Sequence, residues 1–254
     1  MGKLIIGNFL ICIVSYNIIP PFYSFSIVST VTALSTLCIL CVSVYLIHER
    51  KPLSLITIHK KPEWENIIKG GSIWLLIVTL TILLLSILIP TSYTFTYNFN
   101  IGFILVSLVS ISLYAFTEEI IFHGYLLQGF SLINQNPKFL LLITSFIFGI
   151  LHYFNGTTFI ASFVTVFSCF LFSLVLGWIV LVEGCLETAV GIHISNNLFG
   201  TLVCVNPVNI YEKTTSMIII HTNHVSPLLN YTNLLLLIVL QLILLVMLFI
   251  LKYK

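Results

Sequence analysis

The sequence predicts an all-α protein, a polytopic transmembrane helical bundle of about eight spans with a four-helix core. Of its 254 residues, 59% are hydrophobic and only 7% are charged, whereas soluble domains have about 25% charged residues. So few charges exclude a water-soluble globular surface. The apolar runs are also long enough to cross a bilayer, which takes roughly 20 residues per helix.

Eight apolar runs are candidate spans, and prolines and glycines mark several of their ends because proline interrupts helical hydrogen bonding. The polar segment 48–70 separates the second run from the third, and its Trp64 is typical of a membrane interface. Gly70 and Gly71 mark the start of the third run. The runs cover residues 4–22, 26–47, 71–90, 101–131, 138–155, 158–182, 185–204 and 231–251.

The basic residues predict the orientation of these spans. An even number of spans places both termini on one side, and that side then holds nine of the ten basic residues, with Lys213 alone on the other. Because Lys and Arg concentrate in cytoplasmic loops, we expect both termini to be cytoplasmic, in the plasma membrane if the protein is bacterial. The nine residues are Lys3, Arg50, Lys51, Lys60, Lys61, Lys69, Lys138, Lys252 and Lys254.

The chain divides by its pattern into three segments. Residues 1–100 hold the first spans and the basic cytoplasmic loop, and residues 101–204 hold the four-helix core. Residues 205–254 hold an outer loop and the last span.

Two adjacent acids stand inside the fourth run, in the stretch FTEEIIFHGYLL. Ionisable residues within spans are costly and usually face the bundle interior or a water-filled cavity. At 1.5 Å per residue from the cytoplasmic helix ends, Glu118 and His152 lie about 20 Å deep and His193 about 12 Å. We therefore expect these three residues to meet near the middle of the membrane.

Three pairs of residues are spaced four apart, which places each pair on one face of its helix. The pairs are Glu119 with His123, Phe148 with His152, and His193 with Asn197. This spacing predicts a water-containing pocket. Its lining residues are Glu118, Glu119, His123, His152, His193 and Asn197.

These groups suit the hydrolysis of an amide within the bilayer. A glutamate is a general base for water, a neutral imidazole orients that water or binds a metal, and an imidazole with an amide can donate to an oxyanion. Each motif alone also fits a structural interpretation, such as an ion-paired acid cluster or hydrogen bonds between helices. Glu183 and Glu187 fit a structural role at a helix N-terminus, and His221 and His224 fit either a solvated loop or a metal-binding pair.

The three motifs in this order resemble those of the CAAX protease and bacteriocin-processing family of intramembrane proteases, which includes the type II CAAX prenyl endopeptidase. They read Glu118-Glu119-x3-His123, Phe148-x3-His152 and His193-x3-Asn197. The resemblance covers roughly residues 101–204 and makes this segment a four-helix catalytic core. It implies an intramembrane endopeptidase, of glutamate or metal type, for a membrane-associated or CAAX-like substrate. In it Glu118 would activate water with help from His152, while His193 and Asn197 would stabilise the oxyanion.

The resemblance leaves the cofactor open. Zinc, with Glu118, His152 and His193 as candidate ligands, and a metal-free glutamate mechanism are the two alternatives. The chain has no HExxH motif and no Asp, which excludes a zincin site and aspartyl intramembrane proteolysis. His123 stands where the family has Arg, so we expect the activity to change with the protonation of this imidazole.

The expected partners are membrane lipid and a membrane-associated peptide or lipid-anchored protein, without nucleic acid; the oligomeric state is left open. One alternative function is a bacteriocin immunity or membrane scaffold protein that keeps the fold without catalysis. Another is a proton-coupled transporter that uses Glu118 and Glu119 as relay groups, although the chain lacks the matching halves that such transporters have.

Overall fold

The computed structural model describes residues 21–88, 93–97, 99–156, 158–205, 217–222 and 227–252, and it confirms the predicted helical fold class. Within these residues, three short segments are helical in another form: Pro52–Leu55 and Tyr153–Asn155 are 3₁₀ helices, and Ile120–Leu126 is a π-helix. The α-helices are α1 (Pro21–Leu46), α2 (Trp64–Leu88), α3 (Ile101–Glu119), α4 (Leu127–Ser131), α5 (Pro137–Leu151), α6 (Phe159–Glu183), α7 (Glu187–Leu202) and α8 (Pro227–Lys252).

The protein is an integral membrane protein. Five described helical stretches are long and apolar enough to cross a membrane: Ile27–Leu46, Trp64–Leu84, Ile101–Ser131, Pro137–Asn155 and Phe159–Glu183. Helix α8 contains a shorter apolar stretch, Leu235–Leu251, and α7 has 16 residues. The predicted span 4–22 lies mostly outside the described residues, as do Lys213 and His224, so the count of eight spans and the cytoplasmic termini stay predictions.

A small sheet joins two segments predicted as loops to the end of the predicted span 185–204, whose helix ends at Leu202 because the chain continues as a strand. Its strands are β1 (Tyr93–Tyr97), β2 (Val203–Val205) and β3 (Ile218–Thr222), in the order β1-β3-β2. Strand β3 pairs antiparallel with β1, placing Tyr93 opposite Thr222, and parallel with β2, placing Val203 opposite Ile218. His221, predicted to lie in an outer loop, belongs to β3 instead.

Helix α2 begins at Trp64 and not at residue 71, so the prediction that Gly70 and Gly71 end a loop is wrong. At Gly70 the backbone of α2 approaches α7 too closely for a side chain. A Cβ at Gly70 would come 2.5 Å from the carbonyl oxygen of Thr188. A Cβ at Gly191 would overlap the carbonyl oxygen of Ile67. Small residues let helix backbones meet in this way.

The start of α2 is also held by α7. The side chain of Glu187, fully buried in the first turn of α7, accepts a hydrogen bond from the backbone N–H of Glu63 at 3.2 Å. Unpaired N–H groups at a helix start are satisfied by such carboxylates. This contact supports the structural interpretation of Glu187.

The chain forms two compact units, each built from three segments. One unit contains residues 1–54, 91–118 and 193–223, which include the small sheet; the other contains 55–90, 119–192 and 224–254. In the second unit, α6 packs against α5 and α8, and α8 also packs against α2. Trp74 of α2 meets Phe172 of α6 with ring centroids 5.5 Å apart. The predicted division at residues 100 and 204 stays a prediction.

The predicted fourth span is one continuous helical stretch, Ile101–Ser131. Its middle part, Ile120–Leu126, widens into a π-helix directly after Glu119. Such π-segments are rare and frequently occur at functional sites. Glu118 and Glu119 therefore stand at the junction between α3 and this π-helix.

Candidate active site

Glu118 and His193 form the first contact between predicted site residues. Glu118 lies near the end of α3 and His193 in the first half of α7, and Oε2 of the carboxylate is 3.5 Å from Nε2 of the imidazole. The two side chains are only 12% and 3% exposed. A carboxylate and an imidazole are thus held together, largely shielded from the surroundings, by two different helices.

Glu119 and His123 form the second contact. Oε2 of Glu119 is 4.0 Å from Nε2 of His123, and each side chain is 1% exposed. Glu119 ends α3, while His123 sits within the π-helix, whose hydrogen bonds run from residue i to i+5. The four-residue spacing therefore does bring these side chains together, although the helix between them is not the α-helix that the spacing assumes.

Ser173 extends this second contact and was not predicted. Its Oγ lies 3.3 Å from Nε2 of His123, and the residue is fully buried in α6. The sequence did not single out Ser173 because it is one of two serines in the apolar run FSCFLFSLVLG, where Ser commonly has only a packing role. The one available signal was Gly177, one turn later on the same helix face.

His152 is fixed by its own helix. It follows directly after α5, with φ −89° and ψ 5°, and its Nδ1 lies 2.7 Å from the carbonyl oxygen of Phe148. A carbonyl only accepts hydrogen bonds, so Nδ1 must carry the hydrogen. In the neutral ring Nε2 is then the atom with the lone pair, as a base or a ligand requires.

Phe148, the aromatic residue of the Phe148-x3-His152 motif, packs against the His152 ring. The rings of Phe148 and His152 have centroids 4.5 Å apart, and the ring of Phe122 meets Phe148 edge-on at 5.0 Å. Phe148 is 2% exposed. The spacing of four between Phe148 and His152 thus fixes both the position and the tautomer of the imidazole.

Asn197 lies one helical turn after His193 on α7, on the same face. Its side-chain oxygen accepts a hydrogen bond from the Asn196 amide at 3.2 Å, and its backbone carbonyl accepts one from the Thr201 hydroxyl at 2.8 Å. The side-chain NH₂ of Asn197 is therefore the group that can donate to a substrate oxygen.

Two pairs of the predicted residues are thus in contact, and His152 and Asn197 are each anchored within their own helix. Within the residues that the structure describes, no three His, Cys, Asp or Glu side chains are grouped as metal ligands. The zinc set Glu118, His152 and His193 stays a prediction from the sequence.

Comparison with known proteins agrees with the motifs. Residues 100–199 match the family described as type II CAAX prenyl endopeptidase Rce1-like. The match covers 100 of the 254 residues of the chain. All six predicted site residues, from Glu118 to Asn197, lie within the matched range, and so does Ser173.

One curated relative of this chain is the uncharacterized protein YyaK of Bacillus subtilis (strain 168). The two are 27% identical over 168 residues, which is 65% of this chain and 56% of the relative. The matched part is therefore little more than half of that relative's length. No solved structure matches the chain.

Proposed function

We propose that this protein is an intramembrane endopeptidase that hydrolyses a peptide bond in a membrane-associated, CAAX-like substrate. The observation that carries the proposal is the contact of Glu118 with His193, 3.5 Å apart and largely shielded, within the segment that matches the Rce1-like family. Ionisable side chains among apolar helices are energetically costly and usually have a function. Peptide hydrolysis would require both the carboxylate and the imidazole.

In the proposed reaction Glu118 is the general base. It takes a proton from water as the water oxygen attacks the carbonyl carbon of the substrate, and it then gives that proton to the leaving amide nitrogen as the carbon–nitrogen bond breaks. Glu118 is thereby restored, and the products are a carboxylic acid and an amine. The motif resemblance gives His152 an assisting role, and because its Nδ1 is committed to the Phe148 carbonyl, Nε2 is its acceptor atom.

His193 and Asn197 are the proposed donors to the oxyanion. In the resting site the His193 imidazole faces the Glu118 carboxylate. After Glu118 has taken the proton from water it is a neutral acid and a weaker acceptor, whereas the new oxyanion is a strong one. The imidazole N–H can then turn to the oxyanion, joined by the Asn197 amide, so that stabilisation develops mainly in the transition state.

The test is cleavage by the full chain in lipid vesicles. A prenylated peptide ending in a CAAX sequence is the probe, and the same peptide without the prenyl group shows whether the lipid is needed. Glu118→Gln should lower the cleavage rate by about 10²–10⁴-fold, the usual contribution of a general base. The matched control is Glu65→Gln, because Glu65 is an exposed α2 residue paired with Lys69 at 2.8 Å.

The outcomes separate the proposal from its alternatives. Loss of cleavage in Glu118→Gln but not in Glu65→Gln supports the proposed base. Full activity in Glu118→Gln refutes it. A parallel cleavage assay with a chelator distinguishes the glutamate type from the metal type. Only a metal enzyme loses activity with chelator and regains it with added zinc. If the wild-type chain cleaves neither peptide, a non-catalytic immunity or scaffold role becomes the better explanation.

A further inference from the structure

The His123 ring packs against the side of α6 that faces the π-helix, beside Ser173 and Gly177. Ser173 Oγ approaches Nε2 of His123 at 3.3 Å, and Gly177 lies one turn further along α6 on the same face. A Cβ at Gly177 would come 3.0 Å from Cε1 of His123 and 3.1 Å from Nδ1. The ring thus fills the space that the absent side chain leaves.

The space around the His123 ring is closed to its surroundings. Ser173 and Glu119 are 0% exposed and His123 is 1% exposed. Leu141 of α5 also reaches Gly177, with Cδ2 at 3.0 Å from the position of a Cβ there, so an apolar side chain borders the same space. Buried polar groups are expensive unless they are hydrogen-bonded to each other, which indicates that serine, imidazole and carboxylate act as one unit.

Two oxygens approach the same ring nitrogen. Nε2 of His123 lies 3.3 Å from Ser173 Oγ and 4.0 Å from Glu119 Oε2. A bare nitrogen lone pair would face the lone pairs of the carboxylate, which is unfavourable, whereas an N–H at Nε2 suits both oxygens. The arrangement therefore favours the ring form with hydrogen on Nε2.

We infer that Ser173 is a positioning residue of the proposed protease, an inference that rests on the proposed function for its catalytic consequence. Its hydroxyl oxygen accepts a hydrogen bond from the Nε2–H of His123. This bond holds the ring with Nε2 on the side of Glu119, which is next in sequence to the proposed base Glu118. Gly177 supplies the room that this ring orientation needs. Ser173 itself touches neither water nor substrate in the proposed reaction.

The test uses full-length protein with ¹⁵N-labelled histidine in lipid vesicles. The His123 ring signals are those that disappear in His123→Gln, and their shifts report which ring nitrogen bears hydrogen. Ser173→Ala should move the His123 signals and lower cleavage of the prenylated CAAX-type peptide by up to about 100-fold, as misplacement of catalytic groups can. Ser173→Thr keeps the hydroxyl and should restore most of both properties.

Two further variants provide a control and an independent readout. Ser107→Ala is the matched control, because Ser107 of α3 is also 0% exposed but its hydroxyl makes no hydrogen bond within the described part of the chain; it should leave the His123 signals unchanged. Gly177→Ala places a methyl group against the ring and should move the same signals, which provides an independent readout if Ser173→Ala does not fold.

Each outcome bears on the inference. Unchanged His123 signals in both Ser173→Ala and Gly177→Ala overturn it. Moved signals with full cleavage activity also overturn it, because the contact is then only structural. If wild-type protein cleaves nothing, the proposed function fails, while the ring signals still decide whether Ser173 positions His123.

Discussion

Replacing Gly191 by alanine tests the close approach of α7 to α2. A Cβ at this position would overlap the carbonyl oxygen of Ile67 and come 2.8 Å from its carbonyl carbon and 2.9 Å from the backbone nitrogen of Gly71. These are backbone atoms on a neighbouring helix, so no side chain can rotate to relieve the contact. The two helices must separate.

The size of the effect follows from two opposing contributions. Alanine in place of glycine within a helix gains about 1 kcal/mol of helix propensity, whereas overpacking costs about 1–3 kcal/mol or more. Because a backbone oxygen is overlapped, we expect the upper end of that range and a net loss of about 2 kcal/mol in the free energy of unfolding. For a chain of this size that corresponds to a Tm lower by about 4–8 °C.

The same helix provides the control. Gly200 also lies in α7, but a Cβ there would meet nothing within 4 Å. Gly200→Ala should therefore leave Tm unchanged or raise it slightly. Thermal unfolding of both variants in the same detergent measures the difference. Equal Tm values for Gly191→Ala and Gly200→Ala would show that α2 and α7 do not meet as described.

Two more predictions concern the start of α7. Glu187→Ala removes the acceptor for the Glu63 N–H and should destabilise the protein by about 0.5–2 kcal/mol, as loss of a helix cap does; an unchanged Tm would contradict the capping role. At Cys185, between α6 and α7, burial, a hydrogen bond to Glu187 and the charges of Glu187 and Glu183 raise the pKa of the thiol to about 12. The neutral thiol should therefore resist alkylation at pH 8, which mass spectrometry after labelling measures. The contribution of this thiol to the free energy of unfolding should be lost only as the pH rises from about 8.5 toward 12, which Tm measured against pH would show. Rapid alkylation of folded protein at pH 8 would refute this.

Much of the fold could be predicted because it depends on patterns that the sequence shows directly. The long apolar runs predicted most helices, and Pro137 marked the start of α5, where Asn136 accepts a hydrogen bond from the Lys138 N–H at 2.9 Å. The four-residue spacing placed Glu119 and His123 on one helical face, and their side chains lie 4.0 Å apart. Such features are local, so that neighbouring residues alone determine them.

The features that were missed depend on distant segments. Gly70 and Gly71 resemble a helix boundary, and only the contact with α7 explains their place inside α2. The sheet pairs β1 with a strand more than a hundred residues later, a pairing that no local pattern specifies. Ser173 becomes recognisable as part of the site only when α6 places it beside His123.

The most direct test of the proposed chemistry is a single turnover of the prenylated CAAX-type peptide in H₂¹⁸O, with excess protein in lipid vesicles. If Glu118 delivers water to the peptide bond, mass spectrometry will find ¹⁸O in the new carboxylate of the first product formed, and Glu118→Gln will form almost none of that product. A first product without ¹⁸O would mean that a protein carboxylate attacks the substrate directly, and it would contradict the role assigned to Glu118.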